Sequence, residues 1–123
     1  MARRRNGDRR NRWKGAVRLN IEDIHSLCHD DSIEITQHMM LRFQQRGIRY
    51  HEIKEALLHG EIIEDYPNDF PYPSCLVLGI TLARRKLHVV AGIGVGKLWI
   101  ITAYEPDPSR WSADFRVRKE NHP

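Results

Sequence analysis

Cysteine is scarce in this chain: Cys28 and Cys75 stand far apart, with no Cys-x-x-Cys pair. Two isolated thiols form no disulfide framework, so a reducing, cytoplasmic setting is the expectation. Long apolar runs are missing as well. No stretch approaches the ~20 residues a membrane span needs. The first residues lack the apolar region of a secretory signal, so none is expected. No internal repeat is visible. The glycine-rich run Gly92-Ile93-Gly94-Val95-Gly96 lacks the Lys-Ser/Thr of a phosphate loop and precedes a strand pattern, so it reads as a hairpin turn or bulge. His25, Cys28 and His29 sit at i, i+3 and i+4, but no second cluster completes a metal site. Neither metal nor cofactor is expected.

What is present fits one soluble globular domain: 123 residues with 41% hydrophobic content. The net charge of +4 is unevenly spread. Residues 1–18 hold eight Lys/Arg against Asp8, whereas the rest holds twelve basic and fifteen acidic side chains. The basicity therefore belongs to an N-terminal arm read as disordered, and the domain over residues 19–116 is mildly acidic. Such an arm either contacts phosphates with steep salt dependence or only solubilises. Residues 117–123 read as a polar tail.

Apolar periodicity predicts the elements. Asn20 caps a helix over residues 21–29, and residues 33–35 alternate as a brief strand. Thr36 and Gly47 bound a second helix as N-cap and C′ stop. A third helix spans residues 48–59 and ends at Gly60. Extended segments follow at 61–66, 74–82, 87–93 and 98–104. A proline-rich loop with a candidate cis bond at Tyr72-Pro73 joins the first two, and the turn Arg84-Arg85-Lys86 joins the next pair. Asp107 and Pro108 open a short C-terminal helix with Trp111 and Phe115 on its inner face. The expected fold class is α+β: two to three N-terminal helices on one face of a three- to four-stranded antiparallel meander, the other face left free.

The helix over 36–47 carries the chemistry. Met39, Met40 and Phe43 share one side; His38, Arg42, Gln45 and Arg46 share the other. An imidazole beside two guanidinium groups suits phosphate chemistry; the plain alternative is a solvated face.

The segments Ile35-Thr36-Gln37-His38 with Arg42 and Arg46-Gly47-Ile48, Gly60 to Pro67, Pro71 to Leu76, Leu87-His88-Val89-Val90, and Ile101 to Pro106 with Trp111 are similar to a small prokaryotic domain-of-unknown-function family grouped with RelE-type and MqsR-like ribonuclease toxins. The match covers roughly residues 33 to 116. The Arg-rich N-terminal extension, the extra leading helix and Arg49 in place of a Ser/Thr cap depart from the family pattern. The resemblance implies a barnase–colicin–RelE-like fold and a partner antitoxin of zinc-ribbon or helix-turn-helix type.

Metal-independent RNA cleavage needs a base, an acid and cations around the phosphate. His38 and His88 are the proton-transfer candidates, and Arg42 and Arg46 the phosphate clamp. Tyr104 orients the phosphate or stacks on a base. Tyr66, Tyr72, Arg84 and Arg85 are substrate-binding candidates. Each has a plainer reading: His88 as a surface or hydrogen-bonded core histidine, Tyr104 as a packing residue, Arg46 as a partner of helix-end carbonyls or of Glu61 or Glu64, and Glu61, Glu64 and Asp65 as a solvated strand edge. Three readings compete: a toxin-like endoribonuclease, a binding module of the same fold for RNA or an acidic protein, and an interaction domain without nucleic acid.

Overall fold

The computed structural model describes residues 18–120, so all of the expected arm but Arg18 lies outside the described residues. Helix α1 (Ile21–Leu27) starts at Asn20, whose side chain accepts from the Asp23 N–H at 2.9 Å. Strand β1 (Ile33–Glu34) is two residues long. Helix α2 (Gln37–Gln45) is capped as its sequence requires: Thr36 Oγ1 accepts from the Met39 N–H at 3.2 Å. Its end is a Schellman motif. Gly47, at φ 67, donates to the Gln44 carbonyl, and Ile48 N–H donates to Phe43. Helix α3 (Tyr50–Leu58) follows. Glu52 reaches back and accepts from the Arg49 N–H at 2.9 Å, the half of a capping box that a carboxylate at this position can make.

Strands β2 (Glu61–Tyr66), β3 (Ser74–Ile80), β4 (Lys86–Gly94) and β5 (Lys97–Tyr104) form the antiparallel meander. The full sheet differs from the expected one. It has five strands in the order β1-β5-β4-β3-β2 and is mixed, because β1 pairs parallel to β5 through Ile33 and Leu98. The brief strand lies between α1 and α2, so the helices are not one N-terminal block. No C-terminal helix forms among the described residues. Asp107 Oδ1 accepts from the Ser109 N–H and hydroxyl, and Asp114 Oδ1 accepts from Ser112 and Arg116. These short side chains hold turns instead of a helix. Phe115 takes φ 62, and Trp111 pairs with Arg118 in an antiparallel bridge. The cis peptide is Phe70-Pro71, not Tyr72-Pro73.

The core lies between the helices and one sheet face. Ile24, Phe43, Ile48, Ile53 and Leu57 from the helix side meet Cys75, Val77, Leu87, Val89 and Leu98. Burying each large aliphatic there stabilises by roughly 1.5–3 kcal/mol. α3 rides closest on β3, where a Cβ at Gly79 would lie 2.0 Å from the Ala56 carbonyl oxygen. Two arginines lock the helices to the sheet. Arg46 donates to the Ala103 carbonyl at 2.8 Å and to Thr102 Oγ1 at 3.1 Å. Arg85 donates to the Gly47 carbonyl, Glu52 and Glu105 at 2.8, 3.0 and 2.7 Å.

Candidate functional site

Strand alternation decides which side chains can meet. Leu87 and Val89 point into the helix-side core, so His88 between them points to the opposite face. There its register partners are Leu78 on β3 and Tyr104 on β5. The chain after β5 folds back over this spot, so the far face is not wholly free. Trp111 lies edge-on to the His88 ring at 4.4 Å between centroids, and Tyr104 lies edge-on at 5.4 Å. His88 is 0% exposed.

The imidazole's protonation follows from its partner. Nε2 lies 2.9 Å from the Phe115 carbonyl oxygen. A carbonyl only accepts, so Nε2 carries the proton and Nδ1 keeps a lone pair. Nδ1 is buried with no hydrogen-bond partner among the described residues. Burial holds the ring below its ordinary pKa, outweighing the Phe115 carbonyl and the Glu64 carboxylate, which favour the charged form. The result is a neutral imidazole with its tautomer set.

Polar partners come from β2 and the returning segment. Arg118 donates from Nε and Nη2 to the two oxygens of Glu64 at 2.9 and 3.1 Å. Its guanidinium also lies 4.7 Å from the Trp111 ring centroid. Tyr66 donates to Glu64 at 2.5 Å. Burial alone would raise the Glu64 carboxyl, but Arg118 and Tyr66 hold it below the usual carboxylate range. Burial, with the bond to Glu64, pushes the Tyr66 phenol up to about 12. Burial raises Tyr104 too. The far face thus joins a neutral imidazole, a carboxylate, a guanidinium and two phenols beneath one indole.

The sequence candidates divide around the sheet. His88 and Tyr104 come together, and Tyr66 reaches the same network through Glu64 and Arg118. His38, Arg42 and Arg46 do not join them, because α2 packs on the helix side. His38 is exposed and lines a groove formed by α2 and the α2–α3 link. Arg42 is exposed, and Arg46 is committed to β5. Tyr72 stacks on Trp99 with centroids 5.8 Å apart, toward the opposite end of β4, where a Cβ at Gly94 would strike its ring. Arg84 sits exposed in the β3–β4 turn at φ 72, and Arg85 is the scaffold clamp described above.

Sequence reasoning missed Glu64, Arg118 and the part played by Trp111. Glu64 and Arg118 are 54 residues apart, and no local pattern links them. Among the described residues, no group of three or more His, Cys, Asp or Glu side chains could hold a metal ion. No described helix is long and apolar enough to cross a membrane.

No curated protein and no solved structure matches the chain. One family model does, over residues 35–105, a span that holds α2, α3 and β2 to β5 together with His88 and Tyr104. Its description assigns no activity and draws no link to RelE-type or MqsR-like toxins. That span exceeds half of the chain, and the protein therefore belongs to the family described as domain of unknown function DUF4258.

Proposed function

We propose that the protein is a toxin-like endoribonuclease that cleaves RNA without a metal, using the far-face cluster. The observation that supports this reading is the meeting of a neutral His88, whose Nδ1 has no partner among the described residues, with Tyr104, Glu64 and Arg118. In the proposed reaction the ribose 2′-oxygen attacks the adjacent phosphorus and its proton passes to His88 Nδ1. The P–O5′ bond breaks, and the leaving 5′-oxygen takes the Tyr104 hydroxyl proton. The products are a 2′,3′-cyclic phosphate and a 5′-hydroxyl, and proton return from His88 to Tyr104 restores both groups. Arg118 stabilises the charge on the crowded phosphate through the guanidinium N–H donors that Glu64 does not occupy. The 2′-hydroxyl requirement restricts the substrate to RNA. Entry of RNA requires Trp111 to move off the imidazole. The reading carries with it a cytoplasmic setting and a cognate antitoxin partner, of zinc-ribbon or helix-turn-helix type.

A second reading, a binding module that cuts nothing, is favoured by the complete burial of His88. The full chain incubated with RNA and a chelator separates the two. Cyclic phosphate ends that disappear with His88→Asn and Tyr104→Phe, in variants with unchanged circular dichroism, support cleavage. Intact RNA, or cleavage undiminished in His88→Asn, overturns it. Binding without cleavage, with a steep salt slope lost on deleting residues 1–18, establishes the module instead.

A further inference from the structure

The helix side of the molecule carries a separate feature. A groove of about 900 Å³ is lined by α2, the link Gly47-Ile48-Arg49 and Tyr50 at the start of α3. Phe43, Ile48 and Tyr50 lie along it with Met40 and Leu41, which are 44% and 55% exposed. Met40 and Leu41 carry the apolar floor of the groove out to the surface, and contiguous exposed apolar area of this kind marks interaction sites.

The charge around the groove is one-sided. No acidic residue occurs between Glu34 and Glu52, and the interval holds Arg42, Arg46 and Arg49 with His38. His38 and Arg49 line the groove. Beyond residue 18 the chain as a whole is acidic, so this stretch is a basic island in it. Of the flanking acids, Glu52 is engaged by Arg85 and the Arg49 N–H. Asp30, which accepts from Tyr50, is also bound by Lys54.

We infer that this groove docks an acidic amphipathic helix from a partner protein. Such a helix lays apolar residues at i, i+3, i+4 and i+7 into a groove and keeps its charges on the rim. Its carboxylates meet Arg49 and His38, which line the groove, while its apolar stripe covers Met40 and Leu41. Other occupants fit less well. The chain's own residues 1–18 carry an excess of seven positive charges, and the basic rim repels them. Two copies meeting here about a two-fold axis would bring both Arg49 guanidinium groups to one seam with no free carboxylate between them. RNA would gain the rim but leave the apolar floor unmatched. The inference deepens the partner half of the proposed function. It rests on the groove alone, so an RNA-cleavage assay that fails leaves it standing.

The test uses the full chain with methyl-labelled Met, Leu and Ile. The probe is a helical peptide of about 14 residues with leucines at i, i+3, i+4 and i+7 and glutamates elsewhere. Its twin carries lysines in place of glutamates. The glutamate peptide is expected to shift the Met40, Leu41 and Ile48 methyl signals and to bind at least ~10-fold more tightly than its twin at low salt. Leu41→Asp and Arg49→Glu, both at exposed positions, should each weaken it by ~10-fold or more. Equal binding of the two peptides overturns the inference, as do shifts confined to other methyls. So does a single-stranded RNA that moves the same three signals at lower concentration than the glutamate peptide, or self-association in sedimentation that perturbs them without any peptide.

Discussion

Replacing Arg85 with alanine separates a scaffold role from a substrate-binding role for that guanidinium. Arg85 donates to the Gly47 carbonyl, Glu52 and Glu105, joining the β3–β4 turn to the α2–α3 link and to the chain after β5. Its side chain is 22% exposed and that of Glu52 is 13% exposed, whereas Glu105 is 61% exposed. Hydrogen bonds to shielded charged groups contribute about 1.5–3 kcal/mol each. The bond to exposed Glu105 adds well under ~1 kcal/mol. Arg85→Ala should therefore cost about 3 kcal/mol, part of it from leaving Glu52 without its cation. In a domain of this size that lowers Tm by on the order of 10–20 °C. Urea unfolding followed by tryptophan fluorescence measures the loss directly. Arg85→Lys should recover less than half, since one ammonium cannot span acceptors on three segments. The pH dependence gives a second reading of the same contact. Burial would raise the Glu52 carboxyl, but the Arg49 N–H and Arg85 together hold it below its ordinary value of 4.5. A carboxylate depressed in the fold stabilises above its unfolded pKa, and that contribution fades as pH falls through the folded value. The gap between parent and Arg85→Ala should be widest above about pH 5 and shrink as the solution is acidified. An Arg85→Ala protein within ~0.5 kcal/mol of the parent refutes the scaffold assignment.

Gly79→Ala should cost about 3 kcal/mol or more, because the new Cβ meets the α3 backbone at Ala56 and not a yielding side chain; a thermal melt reads it. Thr36→Ala removes the α2 cap and should cost about 1 kcal/mol in urea, with Thr36→Asp recovering most of it. His88 is held below its ordinary pKa by burial, so the folded state resists its protonation. Parent stability should fall as pH drops from about 7 toward 5, and His88→Phe should flatten that slope. Burial, with Asp65 adding to it, pushes the Cys75 thiol up to about 12. Cys75 should ignore a disulfide reagent in the native protein and react at once in denaturant; rapid native labelling would contradict its burial.

The helix ends were legible because their signals are local. Asn20, Thr36 and Gly47 each act within four residues of their own position, and each does in the fold what its side chain, or lack of one, dictates. The meander was legible for the same reason, through apolar runs separated by turn residues. The chain after Tyr104 misled, because Asp107 and Pro108 resemble a helix start while Ser109, Ser112 and Asp114 hold turns. Its shape answers to a partner surface far away: Trp111 packs on His88 and Arg118 on Glu64.

The candidate site shows the same division. Sequence spacing put His38, Arg42 and Arg46 on one stripe of one helix, since 3.6 residues per turn is a property of the chain itself. What each guanidinium does was settled by what lay opposite: β5 engages Arg46, and the groove takes His38 but not Arg42. Alternation along β4 placed His88 on the side away from Leu87 and Val89, again a local rule. That this side is roofed by an indole and wired to a carboxylate on β2 depended on β2, β3, β4 and the returning segment being brought into register. The amino-acid sequence by itself determined the elements, their caps and which residues share a face, because those follow from contacts a few residues apart. Only the tertiary structure decided which faces meet and which charged groups become partners, because those contacts join residues 20 to 57 positions apart and form only when the whole domain closes.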